Sequence, residues 1–210
     1  MLDRDEISGR GAFQGGTRGG FLTATAAAAG AAVVGTRLLD AAPAVAAPRR
    51  SPALDRRILN FALLLEYVQA AFYREGLKRA GLRGEFREFA EVAGEQDQDH
   101  AALLSRALGA RAQPEPRFAF GEVTRTARRF IQTSLLLEDT VVAAYNGQAA
   151  NLTRASLPAA LSIVSVEGRH AAWIRDLAGQ DPAPLAADLG KSAGEVTAIL
   201  SKAGLLRRRP

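Results

Sequence analysis

Glu167-Gly168-Arg169-His170 and Asp97-Gln98-Asp99-His100 contain the only two histidines of the 210-residue chain. In each tetrapeptide a carboxylate stands three residues before the imidazole, a spacing that puts both side chains on one face of a helix. The following residues also match, His100-Ala101-Ala102-Leu103-Leu104 against His170-Ala171-Ala172-Trp173-Ile174, at an offset of 70. Upstream, Leu63-Leu64-Leu65-Glu66 recurs as Leu135-Leu136-Leu137-Glu138 at an offset of 72, and each glutamate is followed seven residues later by a tyrosine, Tyr73 or Tyr145. The chain thus carries one unit twice: an apolar helix with a lone glutamate, then a helix with carboxylate-x-x-His. A duplicated helical hairpin closing around a pair of metal ions is the expectation.

Composition narrows the chemistry. Apolar residues make up 48% of the chain, alanine is abundant and aromatics are few at 6%, a mixture that favours helices. There is no cysteine, which excludes disulfides, thiolate metal sites, iron–sulfur clusters and thiol nucleophiles. Any metal must be held by oxygen and imidazole. The net charge of +5 is read as an arginine-rich solvated surface. With no basic helix carrying interleaved aromatics, no nucleic-acid partner is expected.

Taken in order, residues 1–46 read as an export signal. A polar leader with Arg4, Arg10 and Arg18 precedes an uncharged, alanine-rich run over 21–35, and Ala44-Val45-Ala46 offers a small-residue cleavage site. That run is too short and too alanine-rich for a membrane span, so the mature form is expected to be extracytoplasmic, with no stable membrane anchor. Thr17-Arg18-Gly19-Gly20-Phe21-Leu22 resembles a twin-arginine signal with Gly19 in place of the second arginine.

Residues 47–180 read as the helical body. The periodicity predicts helices over 53–80, 83–108, 122–152 and from Pro158 to 178, with glycines at 81 and 109 as stops. The two short connections imply antiparallel hairpins. The stretch 109–121, with Pro114 and Pro116, reads as an extended crossover able to span roughly 40 Å, about one helix length. Residues 181–210 read as a loop, a short helix near 192–203 and a basic tail, Arg207-Arg208-Arg209.

Glu66, Asp97, His100, Glu138, Glu167 and His170 fall near the middles of their helices, so a four-helix bundle brings them to one level. Four unpaired carboxylates in an apolar core repel one another and lose their hydration. Two divalent cations offset that charge, and this donor set suits iron or manganese. Tyr73 and Tyr145 read as core residues, and Gln69 and Gln148 as partners of the ligands.

The stretches ILNFALLLEYVQAAFY (58–73), EDTVVAAY (138–145) and SVEGRHAAWIRDLAG (165–179) resemble the ferritin-like superfamily, specifically its exported bacterial ferritin-like domain proteins, over residues 55–178. That superfamily places one glutamate on each of two helices and Glu-x-x-His on each of the other two. The resemblance implies an all-α, ferritin-like four-helix bundle of two αα-hairpins with a long crossover. It implies Glu66, Asp97, His100, Glu138, Glu167 and His170 as ligands of two iron or manganese ions, with Glu66 and Glu138 as the catalytic carboxylates. Dioxygen or peroxide is the implied co-substrate, with ferroxidase or manganese-catalase-like chemistry, and a homo-oligomer is compatible with it. Asp97 stands where the pattern has glutamate, in a position that often bridges the metals. It is expected to serve as a ligand, with the metal on its side held more weakly. The alternative expectation is a non-catalytic envelope or stress protein with a degenerate metal site.

Overall fold

The computed structural model describes residues 49–207; the proposed export segment 1–46, Arg208 and Arg209 lie outside the described residues. Five α-helices follow in order: α1 (Pro52–Arg79), α2 (Glu85–Leu108), α3 (Ala127–Ala149), α4 (Leu157–Leu177) and α5 (Ala193–Lys202). No strand forms among the described residues.

The first helix starts as its sequence dictates. Ser51 is extended and its hydroxyl accepts from Leu54 N, with Pro52 in the first turn, where its missing N–H costs nothing. Lys78 and Arg79 in the last turn suit the negative end of the helix dipole. Three boundaries differ from the periodicity by two residues or more, the first being the end of α3 at Ala149 rather than 152. Gly84 has φ +56 and defers α2 to Glu85. Gly121 has φ +59 and opens a 3₁₀ turn, Gly121–Thr124. Thr126 then caps α3 by accepting from Arg129 N, so α3 starts five residues later than its apolar pattern suggests. Hydrophobic spacing marks which face is buried but not where the backbone enters the helix.

Helices α1 and α2 form one antiparallel hairpin and α3 and α4 the other, and the hairpins meet through α1 with α3 and α2 with α4. Asp55, at the start of α1, accepts from Thr153 N at 3.0 Å, Thr153 Oγ1 at 2.5 Å and Ser156 Oγ at 2.7 Å, all in the α3–α4 connection. Burial pushes the Asp55 carboxyl up, but these bonds outweigh it and hold it below its ordinary value. At the other end Phe72 of α1 stacks on Phe130 of α3 at 4.8 Å. The two contacts make α1 and α3 antiparallel. Phe130 fits because Gly76 has no side chain: a Cβ there would lie 2.1 Å from the ring.

The α2–α3 crossover runs beside α1. Gln113 N donates to Asn60 Oδ1 at 2.8 Å, Arg74 pairs with Glu115 at 3.0 Å, and Thr124 Oγ1 donates to Glu75 at 2.8 Å. From Asn60 to Glu75 is about 22 Å of helix, so the crossover carries the chain back along α1, as its length predicts. Helix α5 packs on α3 and opens with a capping box between Ser192 and Glu195. No helix among the described residues is long and apolar enough to cross a membrane.

The duplication survives in packing outside the core. Tyr67 Oη lies 3.4 Å from Ser105 Oγ in the first hairpin; the repeat-equivalent pair in the second, Asp139 and Arg175, forms a 2.7 Å ion pair.

Candidate metal centre

All six chemistry-bearing residues converge between the four bundle helices. Glu66, Asp97, Glu138 and Glu167 are 0% exposed, His170 2% and His100 9%. The imidazole centroids lie 6.4 Å apart. Two overlapping groups of donor atoms result, each within 4.8 Å: Glu66, Asp97, His100 and Glu167 in one, Glu138, Glu167 and His170 in the other. Glu167 belongs to both.

The middle of the cluster holds Asp97 and Glu167. Glu167 Oε1 is 3.0 Å from His100 Nδ1 and 3.8 Å from His170 Nδ1. Asp97 Oδ1 is 4.0 Å from His100 Nδ1 and 3.8 Å from His170 Nδ1. Asp97 thus lies at similar distances from the two imidazoles, while its donor group is that of Glu66, His100 and Glu167. Glu66 Oε2 meets His100 Nδ1 at 3.2 Å, and Glu138 Oε2 lies 3.8 Å from His170 Nδ1.

The tyrosines are more than filler. Tyr145 donates to Glu66 at 2.5 Å and Tyr73 donates to Glu138, each phenol serving the glutamate of the other hairpin. They are core by burial and partners by chemistry. Gln69 Nε2 donates to Glu167 at 2.8 Å and to Glu138 at 3.3 Å. Gln148 instead lines a small apolar pocket with Ile58, Leu65 and Leu152. Gln96, which sequence reasoning passed over, accepts from His170 Nε2 at 2.8 Å. It sits one residue before Asp97 on an exposed position, where a glutamine looks like ordinary surface.

Electrostatics expose the cost of this arrangement. Burial, then the charge of Glu167, raises Glu66 to about 7, against hydrogen bonds from His100 and Tyr145. Burial also raises Asp97 and Glu138, with Glu167 again the leading neighbour. Burial opposes a charged His100, yet Glu167 and Glu66 hold it up at about 10. Burial lowers His170 and favours its neutral form.

Asp97 Oδ1 and Oδ2, His170 Nδ1 and Gln69 Oε1 are buried with no hydrogen-bond partner, while Glu167 Oε1 faces His100 Nδ1 at 3.0 Å. Buried polar atoms are almost always satisfied, and the Asp97 oxygens and His170 Nδ1 are metal-ligating donors at the middle of the cluster. The donor set fits bound metal ions.

The chain also matches a known family. Residues 54–180 match the model of the ferritin-like domain. The chain belongs to the ferritin-like domain family. The match covers all four bundle helices from α1 to α4, including both copies of the repeat. No curated protein matches the chain.

Proposed function

We propose that this ferritin-like protein holds two iron or manganese ions and uses them in redox chemistry with dioxygen or peroxide, oxidising ferrous iron or dismutating peroxide. The single observation that supports this most is the gathering of six buried carboxylate and imidazole side chains, among which the Asp97 oxygens and His170 Nδ1 have no hydrogen-bond partner. Glu66 and His100 would hold one ion, Glu138 and His170 the other, with Asp97 and Glu167 between them. Bound iron or manganese supplies the change of oxidation state.

The protein's own part is to bind, orient and exclude water. Tyr145 and Tyr73 fix one oxygen each of Glu66 and Glu138, which directs the other toward the centre. Leu63, Leu65, Val68, Leu137 and Val141, within three residues of Glu66 or Glu138 on the same helices, are all 0–1% exposed, so the carboxylates sit on buried, apolar stretches. Such a dry setting strengthens every charge interaction inside it. The degenerate-site alternative follows from the shortness of Asp97; the donor group that Asp97 completes with Glu66, His100 and Glu167 supports the two-metal reading. Export to an extracytoplasmic compartment is part of the proposal and rests on the pattern of residues 1–46 alone.

The test is ferrous oxidation. Metal-free protein is loaded anaerobically with ferrous iron, exposed to dioxygen or peroxide, and followed by ferric absorbance and oxidant consumption. The expected result is oxidation well above the protein-free rate, slowed about tenfold or more by Glu66→Gln or Glu138→Gln. Oxidation and peroxide loss at the protein-free rate, with both iron and manganese tested, would refute the proposal.

A further inference from the structure

The two halves of the centre are built by a repeat, yet they are not supported alike. Gln69 follows Glu66 by three residues; its repeat equivalent, three after Glu138, is Val141. Gln96 precedes Asp97; its equivalent, preceding Glu167, is Val166. Both glutamines belong to the first hairpin, and both reach across to the ligands of the second. Gln69 donates to Glu138 and Glu167, while Gln96 accepts from His170 Nε2. Valine offers no such bond to Glu66 or His100.

The consequence falls on the imidazoles. When Gln96 accepts from Nε2–H, the tautomer of His170 is set and Nδ1 is left as the lone-pair donor aimed at the centre. His170 Nδ1 is indeed buried without a partner. His100 Nε2 has no hydrogen-bonding side chain opposite it among the described residues, and its side chain is 11% exposed against 3% for His170. Each glutamate is held by a tyrosine, but one metal position adds an oriented imidazole and a glutamine bond to its glutamate. The other has neither glutamine on Glu66 or His100 and lies nearer solvent.

We infer that Gln69 and Gln96 are positioning residues that make the two metal positions unequal, so that the Glu138–His170 position fills first and the Glu66–His100 position is the weaker, exchangeable one. This rests on the two-metal reading above. The ordering follows because a preoriented ligand set loses less conformational freedom on binding than one that must be ordered by the ion. Outer partners of metal-bound histidines typically carry a 10- to 100-fold effect on affinity.

Two histidines in the chain make the order directly observable. Full-length protein labelled with ¹⁵N-histidine gives two sets of ring signals, assigned by His100→Gln, and is titrated with Zn(II) as a diamagnetic probe. The expected result is that the His170 signals move over the first equivalent and the His100 signals over the second. Gln96→Leu should weaken the first step by about 10- to 100-fold and bring the two sets together, and Val166→Gln should narrow the gap by giving His100 a partner. Gln96 is on an exposed position, so this variant folds even where the buried Gln69→Leu does not; a thermal melt checks both. Parallel movement of both sets in the wild type, His100 moving first, or a Gln96→Leu titration identical to wild type overturns this inference while leaving a two-metal centre standing. Signals that do not move at all overturn both.

Discussion

Tyr145 on α3 donates its hydroxyl proton to Glu66 Oε1 on α1 at 2.5 Å, so one hairpin holds the ligand of the other. Replacing Tyr145 by phenylalanine keeps the ring and removes only this bond. The metal-free protein should then lose about 1–3 kcal/mol of stability in urea unfolding, the range for a hydrogen bond to a buried charged group. An unchanged midpoint would reduce Tyr145 to a packing residue.

Asp97 offers a prediction of opposite sign. Neither of its carboxylate oxygens has a partner, and it faces Glu167, Glu138 and Glu66. Asp97→Asn removes a charge and forfeits no hydrogen bond. At pH 8 it should raise metal-free stability by about 1–2 kcal/mol and abolish much of the gain that metal confers. A metal-free Asp97→Asn protein less stable than wild type would show that the carboxylates do not repel as described.

The metal-free protein should also grow less stable as pH rises. Glu66 goes from 4.5 to about 7 on folding, so the stability it lends by holding its proton is present below 4.5 and lost between 4.5 and 7. Asp97 and Glu138 move in the same direction. His100 goes from 6.5 to about 10, and its contribution is complete below 6.5 and lost toward 10. His170, lowered by burial, opposes them, recovering stability as pH rises through 6.5. The net expectation is a fall of about 2–4 kcal/mol between pH 6 and 9, read from melts in chelator. With metal present the trend should reverse, because binding releases these protons. A flat profile in chelator would contradict the buried-acid account.

Two glycines should respond oppositely to alanine. A Cβ on Gly168, inside α4 beside Glu167, meets nothing within 4 Å, so Gly168→Ala should stabilise by about 0.5–1 kcal/mol. A Cβ on Gly94 of α2 would lie 2.9 Å from Tyr73 Cβ of α1. Gly94→Ala should cost about 1–3 kcal/mol and disturb the phenol that serves Glu138. Thermal unfolding of the two variants separates them by sign.

How much of this was legible from residues alone depends on whether the signal was periodic or pairwise. Six acidic and imidazole side chains announced themselves because a repeat placed each one in the middle of an apolar helix, and burying them there demands an explanation. The bundle and its crossover followed from helix lengths and from two prolines in a 13-residue connection. The start of α3 did not, because Thr126 and Gly121 act through local dihedral angles that hydrophobic spacing does not sense. Gln96 was invisible for a different reason. Its partner lies 74 residues away on another helix, and nothing in its neighbourhood sets it apart from Gln98. Gln69 and Gln148 looked equivalent in sequence, and only the helix rotation that the packing imposes turns one toward Glu138 and the other into an apolar pocket.

Metal stoichiometry after reconstitution tests the central claim most directly. Glu167 is the one residue common to both donor groups. Purified full-length protein, loaded with ferrous iron or manganese, desalted and analysed by elemental mass spectrometry, should retain about two ions per chain, the complement for this arrangement of carboxylates and imidazoles, and Glu167→Gln should lose both. Wild-type protein that retains none of either metal, or a Glu167→Gln variant that retains as much as wild type, would contradict it.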